Sequence, residues 1–251
     1  MNNHDEICWE PKDFSLETTS VWSFPSHGDW ANHDAKWRGN WSPFIPRNVI
    51  LRYSSEGDLV LDQFAGGGTT LTEAKLLKRD VIGIDINAEA IAWCRRKTKI
   101  QRSETDGRVY LRVGDARNLL FIPNDSIDLI CTHPPYSNII QYSVDIEGDL
   151  SRLAANEYLH EMEKVAHECY RVIKYGRYCA IMVGDIRERG YIIPLAFYVM
   201  QLFEKAGFSL KEIVIKEQHN CRGTMKWLNR KERYDFLLIA HEYLFIFRKI
   251  R

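Results

Sequence analysis

The 251-residue sequence lacks any uninterrupted apolar run near the roughly 20 residues that cross a bilayer. Its start, MNNHDEICWEPKD, lacks the basic and apolar regions of a secretion signal. Its six cysteines include no C-x-x-C pair and no spacing with histidine typical of zinc. We therefore expect a cytoplasmic protein with free thiols, no metal site and no membrane partner.

An excess of one charge is also absent, because 34 basic residues balance 34 acidic ones. Overall charge therefore excludes binding to a polyanion through the whole surface, and any basic face must be local. The two ends differ, however. Residues 211–251 contain ten basic and five acidic side chains, whereas residues 1–45 contain three basic and seven acidic ones. We expect the two ends to have different functions.

The sequence has no internal repeat, and strand-like runs alternate with helical patterns. Seven runs have the apolar, β-branched character of strands: 58–64, 81–86, 108–116, 126–136, 178–185, 209–217 and 234–249. Helical spacing occurs in 69–78, 87–100, with Asn87 as its cap, 155–174 and 191–206. This alternation predicts an α/β fold with a mostly parallel seven-stranded sheet. The last two strands lack an intervening helix, which predicts a C-terminal antiparallel hairpin.

Residues 1–45 do not continue this alternation, and we interpret them as an irregular, Trp-rich N-terminal extension of a domain that spans 46–251. The extension holds five of the seven tryptophans. These rings either pack in the core, which we favour, or line a substrate pocket. Prolines 43 and 46 lead into a short predicted helix, IPRNVILRYS.

A cluster of three glycines, Gly66 to Gly68, lies in DQFAGGGTT between a predicted strand and a predicted helix. Glycine permits a tight turn and close approach to a ligand. The cluster is neither the G-x-G-x-x-G fingerprint nor a P-loop, because Leu71 interrupts the first and no Gly-Lys-Ser/Thr follows. Taken alone, it is consistent with a ligand loop or with a purely structural turn.

Acidic residues end three successive predicted strands: Asp62, Asp85, which lies 23 residues further on, and Asp115. An acid at the second position accepts ribose hydroxyls in nucleotide-binding folds. Asp115 is placed to accept from an adenine amino group. Each acid alone is equally consistent with a cap or a turn. Together, at the carboxyl ends of neighbouring strands, they predict a bound adenosyl cofactor.

The fourth predicted strand ends in Thr132-His133-Pro134-Pro135-Tyr136. Two prolines fix φ and cannot continue a hydrogen-bonded ladder, so the chain must leave the sheet in a rigid, extended form. Such a loop presents the Pro134 carbonyl and a neighbouring side chain as acceptors for an amino group, with Tyr136 as a stacking face.

FAGGG followed by THPPY resembles the FxGxG and [DNS]PP[YFW] motifs of S-adenosylmethionine-dependent methyltransferases that act on exocyclic amino groups, above all DNA N4-cytosine and N6-adenine enzymes. The resemblance covers about residues 41–249 and implies a Rossmann-like class I methyltransferase fold. WSPFIPRNVILRYS resembles the family's cofactor-binding helical region. The resemblance implies these cofactor residues: Phe44, Pro46, Asp62, Phe64, Ala65, Gly66, Gly68, Thr69, Thr70, Asp85, Ile86, Asp115 and Ala116. One position departs from the pattern, since His133 stands where the family has Asp, Asn or Ser.

The resemblance also implies a mechanism of direct, in-line methyl transfer. The Pro134 carbonyl accepts one hydrogen of the target amine, and neutral His133, Thr132 or a backbone group accepts the other. Tyr136 stacks on a flipped base. C5-cytosine methylation requires a nucleophilic cysteine, usually after proline, and the sequence has no Pro-Cys pair. The Thr/Ser-Pro-Pro-Tyr pattern favours cytosine N4 over adenine N6 as the target.

A basic segment between the last two predicted strands, 219–233, is the expected contact with double-stranded DNA. A solvated basic loop is the alternative. We expect this segment to read a short sequence, and a cognate restriction endonuclease is a further expected partner. The oligomeric state stays open. The predicted DNA-binding residues are Arg222, Lys226, Trp227, Arg230, Lys231 and Arg233.

Two rival functions stay open. One is an RNA methyltransferase acting on guanine N2 or adenine N6, since related Pro-Pro-Tyr loops occur in such enzymes. The other is an inactive nucleic-acid-binding homologue in which His133 marks lost activity. The intact glycine cluster, acids and Tyr136 argue against the second.

Overall fold

A computed structural model describes residues 7–137, 140–143, 145–219 and 235–251. Its centre is an eight-stranded sheet in the order β1-β9-β10-β6-β5-β2-β3-β4. The strands are β1 (Val21–Trp22), β2 (Leu59–Asp62), β3 (Asp80–Asp85), β4 (Val109–Val113), β5 (Ile127–Thr132), β6 (Ile173–Val183), β9 (Ser209–Glu217) and β10 (His241–Arg248). A separate small hairpin joins β7 (Ile186–Glu188) and β8 (Tyr191–Ile193).

The sheet confirms the predicted α/β fold. Strands β2 to β6 pair in parallel, and β10 runs antiparallel to both β6 and β9. The predicted C-terminal antiparallel pair is therefore confirmed. The sequence did not predict β1, which adds an eighth strand of two residues, or the β7–β8 hairpin. Strands of two or three residues are too short to show a recognisable period.

In the part of the chain that the structure describes, five α-helices cover the two faces of the sheet: α1 (Phe44–Tyr53), α2 (Thr69–Leu76), α3 (Ala88–Lys97), α4 (Ala155–Val172) and α5 (Leu195–Lys205). One apolar core joins the sheet to α4 and α5, and a second joins it to α1, α2 and α3. In α4, Tyr158, Met162, Val165 and Cys169 are fully buried at helical spacing. The predicted Asn87 cap of α3 is confirmed, because its side chain accepts from the backbone N–H of Glu89 at 2.8 Å.

The strand order reverses between β2 and β5. From β2 the chain proceeds outward through β3 and β4, then returns to β5 on the other side of β2. In open α/β sheets, ligands bind outside the carboxyl ends of the strands at such a switch point. The glycine cluster follows β2, and residues 133–136, here called the Pro-Pro loop, follow β5. Both predicted motifs therefore lie at this edge.

The N-terminal segment, residues 7–43, is irregular apart from β1 and is fastened to α2 by a buried carboxylate. Glu73 accepts hydrogen bonds from Trp30 Nε1 at 2.7 Å, His33 Nε2 at 2.7 Å and Arg47 Nη1 at 3.0 Å. All four side chains are buried, so these charge-assisted bonds are shielded from water. Within the described ranges, no helix is both long enough and apolar enough to cross a membrane.

Candidate active site

The glycine cluster forms a tight turn between β2 and α2. Gly66 and Gly68 have φ values of +47° and +80°, in the left-handed region that favours glycine. A Cβ on Gly68 would approach Cys94 Sγ at 3.2 Å, which is closer than ordinary packing. The Gly66 amide donates to Asp85 Oδ2 at 2.9 Å and thereby ties the turn to the end of β3.

Asp62 and Asp85 are carboxylates held in largely buried surroundings at the strand ends. Burial raises the pKa of each to about 6, and backbone amides that donate to both carboxylates oppose this shift. Asp62 accepts from the amide of Phe64 at 3.1 Å. Asp85 accepts from the amide of Asn87 at 2.9 Å. The loop backbone therefore fixes the orientation of both acids.

Asp115 is held by a neighbouring arginine. Arg117 Nε lies 2.9 Å and 3.0 Å from the two carboxylate oxygens of Asp115, and Arg117 Nη1 bonds Glu161 Oε2 at 2.5 Å. Asp115 Oδ1 also accepts from the backbone amide of Arg117 at 2.9 Å, and Oδ2 accepts from Arg117 Nη2 at 2.5 Å, so Arg117 fixes the orientation of this carboxylate. Arg117 thus orients the Asp115 carboxylate, and the sequence did not predict this role.

A cavity at the carboxyl ends of the strands lies against these acids. Nine of the predicted cofactor residues line it: Asp62, Phe64, Ala65, Gly66, Thr69, Asp85, Ile86, Asp115 and Ala116. Carboxylates beside aromatic and aliphatic surfaces fit a nucleoside bearing a cationic group, so the lining fits the predicted adenosyl cofactor.

Four of the predicted cofactor residues lie outside this lining: Phe44, Pro46, Gly68 and Thr70. The Phe44 ring instead packs against Trp30 and Phe24, with centroids 4.7 Å and 5.3 Å away. Pro46 is buried in the first turn of α1. Gly68 caps α2, and Thr70 is buried in that helix's first turn. The sequence pattern places α1 shortly before the glycine loop but does not show whether its side chains reach the cavity, and none of them lines it.

The N-terminal segment forms part of the wall of the same cavity. From the sequence, core packing was the favoured prediction for its tryptophans. Trp37, Arg38, Asn40 and Trp41 all line the cavity. Asn40 Oδ1 accepts from the Thr69 hydroxyl at 2.7 Å and so joins the segment to the first residue of α2. Only the density of tryptophan in this segment signalled such a role.

The Pro-Pro loop leaves β5 at Thr132, whose hydroxyl donates to Asp62 Oδ1 at 2.7 Å. Thr132 is fully buried, so its side chain serves the link between β5 and β2. His133 and Pro135 line the first cavity and also a second one, whereas Pro134 and Tyr136 line only the second. The loop is therefore the wall between the two cavities.

His133 is held between two aromatic rings. Its Nε2 lies 2.5 Å from the Tyr136 hydroxyl oxygen, and its ring stacks on Trp41 at 5.2 Å with an interplanar angle of 24°. Burial lowers the pKa of His133 to about 4, with a raising contribution from the Glu242 charge and a lowering one from Lys216. The imidazole is therefore neutral at pH 7.

Tyr136 connects the loop to the C-terminal strands. Its hydroxyl lies 2.9 Å from Glu242 Oε1 on β10, and Lys216 Nζ on β9 lies 3.0 Å from Glu242 Oε2. The sequence did not predict that Glu242 or Lys216 belongs to the site. Glu242 did leave a signal, because it is an acid in the apolar strand HEYLFIFR, at a position that faces inward.

The second cavity lies between the Pro-Pro loop, the β9–β10 pair and the N-terminal segment. It shares six lining residues with the first: Gly39, Asn40, Trp41, His133, Pro135 and Tyr142. Two molecules bound in the two cavities would thus meet beside His133 and Pro135. The predicted DNA-binding residues, Arg222 to Arg233, lie outside the described residues.

Acidic strand ends and a glycine turn around a cavity, at the switch point of this sheet, define a class I S-adenosylmethionine-dependent methyltransferase. Solved structures share the fold. A methyltransferase from Methanosarcina mazei aligns with a TM-score of 0.57 at 18% identity, over 80% of this chain and 97% of that one. Another from Aquifex aeolicus aligns with a TM-score of 0.51 at 17% identity, over 82% and 89%.

The chain belongs to the DNA methylase family, whose family model matches residues 2–95 and 127–251. A model described as methyltransferase domain also matches, over residues 60–142. The resemblance stated from the two motifs is therefore confirmed. Membership makes S-adenosylmethionine the cofactor, as the sequence predicted.

Curated relatives include DNA and RNA enzymes. The Type II methyltransferase M.BglII of Bacillus subtilis is 32% identical over 55% of this chain and 37% of its own length. The orphan methyltransferase M.BamHII of Bacillus amyloliquefaciens is 29% identical over 49% and 39%. A tRNA (guanine(10)-N2)-dimethyltransferase of Methanothermobacter thermautotrophicus is 32% identical over 48% and 34%. The matches thus span less than two fifths of these relatives.

Proposed function

We propose that this protein transfers a methyl group from S-adenosylmethionine to an exocyclic amino group of a base in a short, specific sequence of double-stranded DNA. Cytosine N4 is the favoured target and adenine N6 the second. The observation that carries this proposal is the Pro-Pro loop that separates two cavities. One cavity has the acids that suit an adenosyl cofactor, and the other has the loop's acceptors and aromatic ring.

The cofactor residues divide by chemistry. Asp85 is the acceptor for ribose hydroxyls, and Asp115, oriented by Arg117, is the acceptor for the adenine amino group. Phe64, Ile86 and Ala116 provide apolar surface beside them. When bound, S-adenosylmethionine supplies an electrophilic methyl group on a sulfonium centre.

The Pro-Pro loop acts on the target amine. Its nitrogen is a poor nucleophile because the lone pair is delocalised into the ring. The Pro134 carbonyl and neutral His133 accept its two hydrogens, which favours a pyramidal nitrogen with a localised lone pair. Tyr136 stacks on the flipped base in the second cavity. The hydroxyl of Thr132, which donates to Asp62, is left out of this set because it is buried.

Sequence recognition is assigned to the basic segment 219–233, with a cognate restriction endonuclease as a further proposed partner. Arg222, Lys226, Trp227, Arg230, Lys231 and Arg233 are the proposed DNA contacts. This part of the proposal depends on their charge and their place between β9 and β10.

The test is methyl transfer from labelled S-adenosylmethionine to unmethylated genomic DNA and, separately, to total RNA, followed by nucleoside analysis. We expect N4-methylcytosine in DNA. N6-methyladenine in DNA would keep the activity and change the base. Label in neither nucleic acid would favour an inactive binding homologue.

An RNA substrate is the second candidate, and one observation favours it. The tRNA guanine N2 enzyme matches about half of this chain at an identity equal to that of M.BglII. N2-methylguanine in RNA, with no label in DNA, would establish this alternative.

A further inference from the structure

Four side chains form a hydrogen-bonded series that runs from β9 to the Pro-Pro loop. Lys216 contacts Glu242, Glu242 contacts Tyr136, and Tyr136 contacts His133, at 3.0, 2.9 and 2.5 Å. Lys216, Glu242 and Tyr136 line the second cavity but not the first. The direction of each hydrogen bond follows from the number of hydrogens that each group carries.

The series begins at an ionised carboxylate. Glu242 is buried beside the Lys216 ammonium, and this partner holds the pKa of Glu242 below its ordinary value despite burial. An ionised carboxylate has no hydrogen, so it accepts from both neighbours. The 2.9 Å contact with Tyr136 is therefore a bond in which the phenol donates to Glu242.

A phenol has one hydrogen, and Tyr136 has given it to Glu242. The Tyr136 oxygen can then only accept at the 2.5 Å contact, so His133 Nε2 must carry a proton there. A neutral imidazole carries one proton, which leaves His133 Nδ1 as an acceptor. Among the described residues, His133 Nδ1 has no hydrogen-bond partner. It is also not one of the fully buried polar atoms that lack a partner, so a ligand can reach it.

We infer that Glu242, held by Lys216, is a positioning residue that acts through Tyr136 to fix the Nε2–H tautomer of His133, so that Nδ1 is the acceptor for the target amine. The inference depends on the proposed function, because it assigns how His133 replaces the Asp, Asn or Ser of the family motif. The Trp41 ring stacked on the imidazole fixes its plane.

Spectroscopy tests the tautomer without activity. Long-range ¹H–¹⁵N correlation on protein labelled at histidine distinguishes the two ring nitrogens, and His133→Asn identifies the His133 signals. We expect a protonated Nε2 and an unprotonated Nδ1 at pH 7. A spectrum in which Nδ1 carries the proton would overturn the inference.

Glu242→Gln gives a sharper test because the side chain keeps its shape. The Lys216 ammonium takes the new amide oxygen, so the amide NH₂ faces Tyr136 and donates to it. The Tyr136 hydrogen then turns to His133 Nε2, and the proton of the ring moves to Nδ1. We expect the tautomer to invert and kcat to fall on the order of 100-fold, with KM for the cofactor unchanged.

The matched control is Glu212→Gln on β9, which removes an exposed carboxylate from the same strand pair. It should leave both the spectrum and kcat at the wild-type values. Thermal unfolding and cofactor affinity of the two variants show whether the fold is kept. Equal kcat in the two variants, with an unchanged His133 spectrum, would contradict the inference.

Glu242→Gln in the His133→Asn background separates an effect on the His133 tautomer from a general effect of the lost Glu242 charge. An amide oxygen accepts without any tautomer, so Glu242→Gln should change kcat by no more than about twofold there. A loss as large as in the wild-type background would reject a role through His133. Should wild-type protein methylate no nucleic acid, the proposed function fails by itself, and the spectrum still decides the tautomer.

Discussion

The Tyr136 hydroxyl donates a 2.9 Å hydrogen bond to Glu242, a residue 106 positions later in the chain. The bond joins the Pro-Pro loop after β5 to strand β10, on the far side of β6. The loop is therefore held at both ends, by Thr132 against Asp62 and by Tyr136 against Glu242. Such support restricts the side chains that face the two cavities.

Removal of the Tyr136 ring is expected to abolish methyl transfer. Base–aromatic stacking contributes about 1–3 kcal/mol per base, and Tyr136→Ala also removes the support of His133. Tyr136 does not line the first cavity, so cofactor affinity, measured by calorimetry, should stay near the wild-type value. Tyr136→Phe is the matched variant: it keeps the ring, loses only the hydroxyl, and should retain more activity than Tyr136→Ala. Unchanged turnover in Tyr136→Ala would contradict the mechanism.

The Asp85→Asn substitution is expected to weaken cofactor binding and to remove a buried charge that destabilises the cofactor-free protein at pH 7. Burial raises the Asp85 pKa from its ordinary 3.8 to about 6. Between these values the folded state binds more protons than the unfolded state, so its stability falls as pH rises towards 6. At pH 7 the buried charge costs up to about 3 kcal/mol. The amide has no charge, but it keeps only one of the two backbone hydrogen bonds, because its NH₂ group cannot accept.

The stability of the Asp85→Asn variant relative to the wild-type protein should therefore fall as the pH falls from 7 to 4, because the wild-type carboxyl itself becomes neutral. Thermal unfolding of both proteins across this range measures the difference. Glu104→Gln, at an exposed loop position, is the control and should shift stability little. A stability gain that grows on acidification would show that the Asp85 pKa is not raised.

The Glu73→Gln substitution tests the fastening of the N-terminal segment. Removal of one partner from a buried charged network typically costs 3–5 kcal/mol, and Glu73 accepts from three side chains. We expect a loss of about that size in urea unfolding, together with weaker cofactor binding, because Trp37 to Trp41 line the cavity. Glu56→Gln, which removes an exposed partner of Lys78, should cost less than about 1 kcal/mol.

The basic segment stays a prediction that solution binding can check. If Arg230 and Lys231 contact phosphates, the Arg230→Ala/Lys231→Ala double variant should lower the slope of log affinity against log salt by about 2. Fluorescence anisotropy with duplex DNA over a range of salt measures that slope. Lys205→Ala at the end of α5 is the control and should leave the slope unchanged. An unaltered slope in the double variant would remove these two residues from the interface.

The sequence alone determined the alternation of strands and helices, the parallel sheet and the place of both motifs at strand ends. These features are local: a buried strand needs an apolar run, a tight turn needs glycine, and two prolines end a ladder. Asp62, Asp85 and Asp115 were found for the same reason, since each ends its own strand. The carboxyl ends of parallel strands then necessarily meet at one edge.

Only the tertiary structure decided which distant residues complete the site. Glu242 and Lys216 reach Tyr136 and each other because β10 pairs between β6 and β9, a matter of strand order that neither strand's own pattern contains. Likewise, Trp41 reaches His133 because Glu73 fastens the N-terminal segment across the helices. Phe44, expected at the cofactor, packs among aromatic rings instead. Contacts of this kind depend on packing between elements far apart in sequence, which residue type and spacing do not specify.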